Sequence, residues 1–342
     1  MWLEYAPRRV DCPRCGVRVE AVPWAEAGSH FTTPFEELVA YLAQITDQTN
    51  VSRLAGIAWA SVGSIVQRVV ARCQDGSRFE GLRRIGIDEF SYRKYHRYLT
   101  TVVDHDRRRV VWAGKGRSAE SLVPFFEALG AEGCARVEVA TIDMAQGYIK
   151  AIEENLPNAR IVFDRFHVQQ LASDAVDEVR REIQREVKGS EEELALRKSR
   201  YALLKSPWRL SPLEREKLAT VQQANRPLFR GYLLKETLRE ALNYKQPGRA
   251  RPALRAWLAW ASRSRLAPFV RVARTIRKHF EGVMAYIDER LTNGIVEGIH
   301  NRLRVIARRA YGFHSPGPLI AMLFLCCGGI ELDPPLPLPT WD

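Results

Sequence analysis

The chain has 342 residues, of which 46% are hydrophobic and 27% charged, a composition typical of a globular protein with two or three domains. No apolar stretch approaches the roughly 20 residues of a membrane span, and no signal peptide is visible, so the sequence predicts a cytoplasmic protein without a membrane partner. The 52 Lys and Arg residues outnumber the 40 Asp and Glu residues, giving a net charge of +12. This arginine-rich excess favours a polyanionic partner such as nucleic acid.

Residues 1–30 form a small unit around a cysteine pair. Cys12 and Cys15 stand in a Cys-Pro-Arg-Cys-Gly sequence that is half of a zinc ribbon, and Val17, Val19 and Val22 indicate short strands. A structural Zn²⁺ takes four ligands, and this unit contains no second cysteine pair. We therefore expect the partial ribbon to be a turn rather than a complete zinc site. The remaining cysteines have no disulfide spacing, which fits a reducing compartment.

Residues 31–75 have the pattern of a helix-turn-helix unit. One helix starts at Pro34, residues 50–57 give a short helix that ends in a glycine turn, and residues 61–70 give the next helix. In such units the second helix lies in the major groove of DNA, although small three-helix units also serve as structural caps. The outward-facing candidates for DNA contact are Ser61, Ser64, Gln67 and Arg68.

Residues 82–167 alternate between strands and helices. Helices are expected at 118–129, capped by Ser118, and at 148–155. Strands are expected at 84–90, 97–104, 109–113, 137–142 and 159–163. Three antiparallel strands, a helix, a parallel strand, a helix and a last strand make the order of a ribonuclease-H-like core. In that α/β order the first and fourth strands are neighbours.

The rest of the chain is predicted to be mainly helical. Residues 168–287 form a charged helical insertion whose tryptophans, Trp257 and Trp260, we interpret as core residues rather than as stacking platforms. Residues 288–330 return to the core as a final helix, and residues 331–342 form a Pro-rich tail. Breaks between the helices of the insertion are expected at six prolines: Pro207, Pro212, Pro227, Pro247, Pro252 and Pro268.

Three carboxylates at separated positions carry the functional prediction. Asp88 and Asp143 each follow an apolar strand, and Glu297 lies in a helical stretch far along the chain. Three such carboxylates can hold two divalent cations, Mg²⁺ or Mn²⁺, which suit phosphodiester chemistry. We therefore predict that they bind metal and act in catalysis. The arginines expected to hold the phosphates of a DNA strand are Arg302, Arg304, Arg308 and Arg309.

Each carboxylate also has a purely structural interpretation. A single aspartate at a strand end is most often a turn or cap residue, and Glu297 is equally consistent with a solvated helix charge. Glu89 competes with Asp88, but the following residue on a strand faces the opposite side. Asp164 also leaves a strand. We interpret it as a cap for the next helix or as a group that supports a metal ligand, and the role of a fourth ligand stays open.

Together these motifs resemble the ISL-three family of insertion-sequence transposases, which have a DDE catalytic domain. The resemblance runs from residue 5 to about residue 329. It implies a DDE triad of Asp88, Asp143 and Glu297 interrupted by a helical insertion, and recognition of terminal inverted repeats by the N-terminal domains. The matching blocks are 12–16, 22–25, 86–89 with Lys94, 141–144 with Tyr148, 163–168, 292–298 and 308–313.

The resulting hypothesis is a DNA transposase that cleaves and joins strands at the ends of its element, as a homo-oligomer on double-stranded DNA. Family members usually carry an upstream cysteine pair, so we expect this chain to begin within the ribbon. The alternative is a catalytically inactive or truncated transposase-derived protein that only binds DNA. A ribonuclease-H-like nuclease acting on RNA shares the metal chemistry, but it leaves the predicted DNA-reading unit unexplained.

Overall fold

The computed structural model describes residues 4–74, 76–93, 97–313 and 315–332. Lys94 and the predicted Pro-rich tail from residue 333 onward lie outside the described residues. The chain divides into two compact units. The first unit comprises Met1–Glu80, Glu89–Arg117 and Glu297–Asp342, and the second comprises Gly81–Asp88 and Ser118–Val296.

The first unit begins with a small antiparallel hairpin followed by three helices. Cys12 lies opposite Gly16 in the hairpin, and both Cys12 and Cys15 are free thiols. The strand prediction is confirmed at Val17 and Val19, but Val22 lies in no strand because the following Pro23 cannot donate to a ladder. The elements are β1 (Arg9–Cys12), β2 (Gly16–Val19), α1 (Thr33–Ile45), α2 (Gln48–Ala55) and α3 (Trp59–Cys73).

The turn between α2 and α3 follows from local sequence. The side chain of Asp47 caps α2 by accepting hydrogen bonds from the backbone N–H groups of Thr49 and Asn50. Gly56 ends the helix with a φ of 64°, a left-handed conformation in which any side chain would be strained. The inner face of α3 consists of buried apolar residues: Val62, Ile65, Val66 and Val69.

A buried carboxylate joins α1 to α3. Glu36 is 0% exposed, and Arg68 donates two hydrogen bonds to its Oε1, from Nε at 2.9 Å and from Nη2 at 2.6 Å. The Ser29 hydroxyl donates to the same oxygen at 2.7 Å. Arg72 lies 3.5 Å from Glu36 Oε2, a distance that gives an ion pair without a hydrogen bond. The three-helix unit is therefore held by a buried ion pair as well as by apolar packing.

A five-stranded mixed sheet has the strand order β5-β4-β3-β6-β7. β3 pairs with β6 in parallel and β6 pairs with β7 in parallel, which confirms that the first and fourth predicted strands are neighbours. β4 and β5 form the predicted antiparallel hairpin. The elements are β3 (Arg84–Arg93), β4 (Arg97–Asp104), β5 (Arg109–Lys115), α4 (Val123–Arg136), β6 (Val139–Ile142), α5 (Gln146–Asn155) and β7 (Arg160–Phe163).

The prediction that Ser118 caps an α-helix is wrong. Ser118 precedes a short 3-10 turn, Ala119–Leu122, and its side chain makes no capping hydrogen bond. The α-helix starts later, at Val123, with Pro124 in its first turn. Proline is favoured at this position because the first N–H groups of a helix have no intrahelical partner, so its missing N–H costs nothing there.

The helical character predicted for residues 168–287 is confirmed, and these helices belong to the second unit. Trp257 is buried as predicted, and its Nε1 donates a hydrogen bond to the Leu234 carbonyl at 2.7 Å. The helices are α6 (Arg165–Glu186), α7 (Glu191–Leu196), α8 (Arg200–Leu204), α9 (Pro212–Ala224), α10 (Arg226–Asn243), α11 (Pro247–Ser262), α12 (Ala267–Lys278) and α13 (Phe280–Glu289).

The break predicted at Pro252 is wrong, because Pro252 lies inside α11. Its ring removes only the hydrogen bond to the carbonyl of Gly248, close to the start of the helix. The same helix buries Leu254, Trp257 and Leu258, and that burial offsets the loss of one bond.

Two further helices are α14 (Gly294–Arg309) and α15 (Pro316–Cys327). The buried apolar positions of α14 are Val296, Ile299, Leu303 and Ile306; His300 is also buried, whereas Val305 is 63% exposed. No single described helix is long and apolar enough to cross a membrane; α2 and α3 meet the length and composition criteria only as a pair, with a 100° bend between them.

We predict that Arg68→Leu lowers the free energy of unfolding by about 3 kcal/mol, because it leaves the buried Glu36 carboxylate without its bidentate partner. The double variant Glu36→Leu/Arg68→Leu should recover most of this loss, since an apolar pair replaces a buried ion pair. Urea unfolding followed by circular dichroism measures both changes. Arg53→Leu, at an exposed position of α2, is the control and should shift stability by less than about 0.5 kcal/mol. Equal losses in the single and double variants would contradict the assignment.

Candidate active site

The parallel strands place three aspartates in one row. Gly86 of β3 pairs with Thr141 of β6, and Thr141 pairs with Val162 of β7. Adjacent strands lie about 4.8 Å apart, so residues in the same register stay close across the sheet. Two residues after these partners, each strand carries an aspartate: Asp88, Asp143 and Asp164. The register therefore brings both predicted catalytic aspartates and Asp164 together at the carboxyl ends of β6 and β7.

Asp164 is the most deeply buried member of this row, with 3% of its surface exposed. It caps α6 by accepting a hydrogen bond from the Phe166 backbone N–H at 3.1 Å, which confirms the capping role. Burial raises the pKa of Asp164, and the negative charge of Asp88 adds to the rise. Hydrogen bonds from the backbone N–H groups of Phe166 and Asn293 lower the same pKa and only partly offset it. The charge of Asp88 makes the smallest of these contributions to the pKa of Asp164.

Asp143 closes the turn that leads from β6 to α5. Its Oδ1 accepts a hydrogen bond from the Ala145 backbone N–H at 2.9 Å, and the residue is half-buried. Asp88 is also half-buried, so neither of these carboxylates is sealed inside the core. The turn bond occupies one oxygen of Asp143, and a carboxylate has a second oxygen that can accept further partners.

Asn293, the residue before α14, is hydrogen-bonded to β3 and β6. The sequence pattern did not predict this role. Asn293 is 3% exposed, its Oδ1 accepts a hydrogen bond from the Thr141 hydroxyl at 2.5 Å, and its Nδ2 donates to the Ile87 carbonyl at 3.5 Å. Ile87 immediately precedes Asp88, and Thr141 stands two residues before Asp143. The available signal was the Thr-Asn-Gly sequence directly before an amphipathic helix, a typical helix start.

Glu297 lies in the first turn of α14, four residues after Asn293 and three before His300. Within the first unit, His300 is buried and its Nε2 lies 2.8 Å from the Thr101 hydroxyl of β4. The His300 ring also lies 5.5 Å from the Phe90 ring. Glu297 itself is exposed, so the structural interpretation as a solvated helix charge stays open.

The donor chemistry of the aspartate row suits divalent cations, because Mg²⁺ and Mn²⁺ prefer carboxylate oxygens. Burial disfavours the charged form of the Asp164 carboxylate, and a nearby cation would offset that cost. Within the ranges that the structure describes, no group of three or more His, Cys, Asp or Glu side chains is arranged as a metal site. Metal binding by Asp88, Asp143 and Glu297, and Zn²⁺ binding by Cys12 and Cys15, therefore stay predictions.

The candidate DNA contacts of α3 fall into two groups. Ser64 and Gln67 are exposed, Ser61 is half-buried, and the side-chain hydrogen bonds of Ser64 and Gln67 run only to carbonyls of their own helix. Arg68 differs from the expected outward-facing contact, because it is half-buried and its guanidinium is bonded to Glu36. Its buried partner, Glu36, lies 32 residues earlier in the chain, so the spacing within α3 alone could not reveal this bond and predicted an outward-facing Arg68.

The arginines of α14 also differ in their exposure to solvent. Arg302, Arg304 and Arg308 are exposed, whereas Arg309 is half-buried and donates a hydrogen bond to the Ala43 carbonyl at 3.0 Å. Arg304 bonds to the Asn301 side chain at 2.5 Å, and its guanidinium lies 5.8 Å from the centre of the Phe90 ring. The first unit thus presents cations along α14, while Arg309 fastens the helix to α1.

We predict that Asn293→Ala lowers the free energy of unfolding by about 1–3 kcal/mol, because it leaves the buried Thr141 hydroxyl without its closest partner. Urea denaturation followed by circular dichroism measures the change. Asn301→Ala is the matched control, since Asn301 is an exposed asparagine of α14 and its loss should cost less than about 0.5 kcal/mol. Equal effects of the two substitutions would show that Asn293 does not hold the helix start.

Comparison with known proteins identifies the family of this chain. A family described as "Transposase" matches residues 85–323, and the helix-turn-helix domain of transposase family ISL3 matches residues 20–70. The transposase of insertion sequence element IS1557 from two strains of Mycobacterium tuberculosis is 38% identical over 352 residues, covering 96% of this chain and 79% of the relative. The transposase of IS1001 from Bordetella parapertussis is 32% identical over 314 residues, covering 90% and 77%. The chain therefore belongs to the ISL3, or ISL-three, family of insertion-sequence transposases.

Proposed function

We propose that this chain binds the terminal inverted repeats of an insertion sequence and catalyses DNA strand cleavage and strand transfer through Asp88, Asp143 and Glu297. The observation that carries the proposal is the position of Asn293. Its side chain is bonded to the residue before Asp88 and to the strand that ends at Asp143. Glu297 stands one helical turn after Asn293 in the same stretch of chain. The strand order supports a ribonuclease-H-like core for these residues.

In this proposal Asp88, Asp143 and Glu297 hold two Mg²⁺ or Mn²⁺ ions. When bound, such a pair of ions activates the attacking oxygen of water or a 3′-hydroxyl and stabilises the leaving oxygen of the phosphodiester. The carboxylates contribute negative charge, with Asp88 within β3, Asp143 directly after β6 and Glu297 in the first turn of α14. Asp164 supports the row: its bond to the start of α6 holds its own carboxylate in place beside Asp88.

The first unit supplies the DNA contacts. Ser61, Ser64 and Gln67 of α3 are proposed to read base edges in the major groove, because short polar side chains on a recognition helix serve this purpose. The exposed arginines of α14 are proposed to hold phosphates, which positions the strand without reading its sequence. Because two element ends must be joined to one target, we also propose that the chain acts as a homo-oligomer on double-stranded DNA.

We predict that Asp88→Asn lowers cleavage and joining of a labelled duplex carrying the element end by more than about 100-fold, a loss seen even for groups that only support metal ligands. Binding of the same duplex should be retained, because Asp88 does not belong to the DNA-reading unit. Gel-based cleavage assays in Mg²⁺ and Mn²⁺, with fluorescence anisotropy for binding, separate the two effects. Asp174→Asn, at an exposed position of α6, is the control and should keep full activity.

A wild-type chain that binds the end sequence but never nicks it in either metal would favour a DNA-binding protein without catalytic activity. Unchanged joining by Asp88→Asn would remove Asp88 from the triad. The same assay with Asp143→Asn and Glu297→Gln tests the other two proposed members separately.

We predict that Gln67→Ala weakens binding to the terminal repeat about 5- to 150-fold while binding to unrelated duplexes stays the same, because a base contact carries sequence information. Arg308→Ala should instead weaken binding to all duplexes. The slope of log affinity against log salt concentration should fall by about 1, as expected for the loss of one phosphate contact. Fluorescence anisotropy over a salt series measures both. Gln170→Ala, an exposed glutamine of α6, is the control. Equal loss on both kinds of duplex in Gln67→Ala would contradict base reading.

A further inference from the structure

The helical part of the second unit contains a groove that the proposed strand chemistry does not use. It has a volume of about 650 Å³ and is open to solvent. Its lining includes Arg226, Phe229 and Arg230 of α10, and Gln222 and Gln223 near the end of α9. These residues recur at the three- and four-residue spacing that places side chains on one side of a helix. Trp260 of α11 completes the lining.

The two aromatic residues of this groove are only partly buried, which differs from the core position predicted for Trp260. Trp257 stands one turn before Trp260 in α11; Trp257 is buried, whereas Trp260 is half-buried and lines the groove. Phe229 is also half-buried, and its ring stacks on Tyr232 at 5.9 Å with an interplanar angle of 24°. The structure therefore presents two large aromatic side chains to a solvent-filled space, where each could contact a planar ligand.

The polar residues of the groove favour a negatively charged ligand. Arg226 is exposed, and Arg230 is held in place by donating a hydrogen bond to the Ser264 carbonyl at 2.8 Å. None of the residues that line the groove is acidic. The two glutamines supply carboxamides, each with donors and an acceptor, which match the edges of nucleic-acid bases. An apolar helix of a protein partner would leave these arginines and glutamines without a complementary charge or hydrogen-bonding group.

We propose that this groove binds one unstacked nucleotide of a DNA strand. The base contacts the aromatic side chains of Trp260 and Phe229, the phosphate contacts Arg226, and a glutamine bonds to the base edge. Aromatic stacking and arginine contacts are the two features by which proteins hold single-stranded DNA. The volume lies within the range of about 300–1,000 Å³ that small-ligand sites have. The inference rests on the proposed function only in that DNA is the ligand, and it assigns no catalytic role to the groove.

The test uses the full chain and a 12-nucleotide single-stranded oligonucleotide with one 2-aminopurine, whose fluorescence falls when it stacks on an aromatic ring. We expect Trp260→Ala and Arg226→Ala each to weaken binding about 5- to 150-fold and Trp260→Ala to abolish the quenching. Trp260→Phe keeps an aromatic face and should retain most of the binding. The matched controls are Trp208→Ala, at a tryptophan 65% exposed in the same unit, and Arg274→Ala, at an exposed arginine of α12; both should bind like the wild type.

A second measurement places the contact directly. An oligonucleotide carrying 5-iodouracil, irradiated in the complex, should crosslink to Trp260 or Phe229 when the peptides are analysed by mass spectrometry. Crosslinks confined to other parts of the chain, or equal affinities of Trp260→Ala and Trp208→Ala, would overturn the proposal. A change of oligomeric state in Trp260→Ala with unchanged oligonucleotide affinity would also overturn it and identify the groove as a protein interface.

These outcomes are distinct from the failure of the proposed function. Asp88→Asn should bind and quench the 2-aminopurine oligonucleotide as the wild type does. A wild-type chain that binds through the groove but never cleaves the element end would keep this inference and overturn the proposed catalysis. If the wild-type chain cleaves the element end but the groove variants bind the oligonucleotide as the wild type does, this inference is overturned and the proposed catalysis is retained.

Discussion

The arrangement of the candidate site depends on one buried side chain, Asn293. Residues 165–292 separate Asp164 from it, and most of them are helical, so the chain leaves the sheet for a long excursion before it returns. The return is fixed by the two hydrogen bonds of Asn293, to Thr141 of β6 and to the Ile87 carbonyl of β3. Because a buried carboxamide must satisfy both its donor and its acceptor, this position has few alternatives. The start of α14 is thereby set relative to the strands that carry Asp88 and Asp143.

The charged carboxylates of the aspartate row raise the electrostatic free energy of the folded chain, and the fold partly offsets this rise. Burial of Asp164 carries a desolvation penalty that raises its pKa, and the negative charge of Asp88 adds to the rise. Two helices begin just after the row: α5 follows Asp143, and α6 follows Asp164. The partial positive charge at a helix N-terminus and its unpaired N–H groups stabilise nearby anions. The bonds from Ala145 and Phe166 N–H groups show this in the structure. The remaining repulsion is what a bound cation would relieve.

Local pattern predicted most of the elements, and long-range partners explain most of the differences. The strand runs, the hairpin and the left-handed turn at Gly56 follow from periodicity and glycine chemistry, so the sequence was sufficient for them. The ion pair of Arg68 with Glu36 and the bonds of Asn293 join residues 32, 152 and 206 positions apart, and no local window contains both partners. The error at Pro252 has the opposite origin: a local rule was overridden by the burial of a helix face.

Helix α3 and the arginine-bearing part of α14 belong to the same compact unit, and the proposed DNA contacts of both helices therefore depend on how that unit is held together. Arg309 of α14 donates to the Ala43 carbonyl of α1, and Gln44 of α1 donates to the Leu325 carbonyl of α15 at 2.7 Å. These bonds tie the three-helix unit to α14 and α15 within the first unit. Phosphate contacts position a protein on DNA and base contacts specify the sequence, so the two act together only when their spacing is fixed. In the proposed function Arg309 would maintain that spacing through its bond to Ala43, whereas Arg302, Arg304 and Arg308 are exposed and would contact the phosphates.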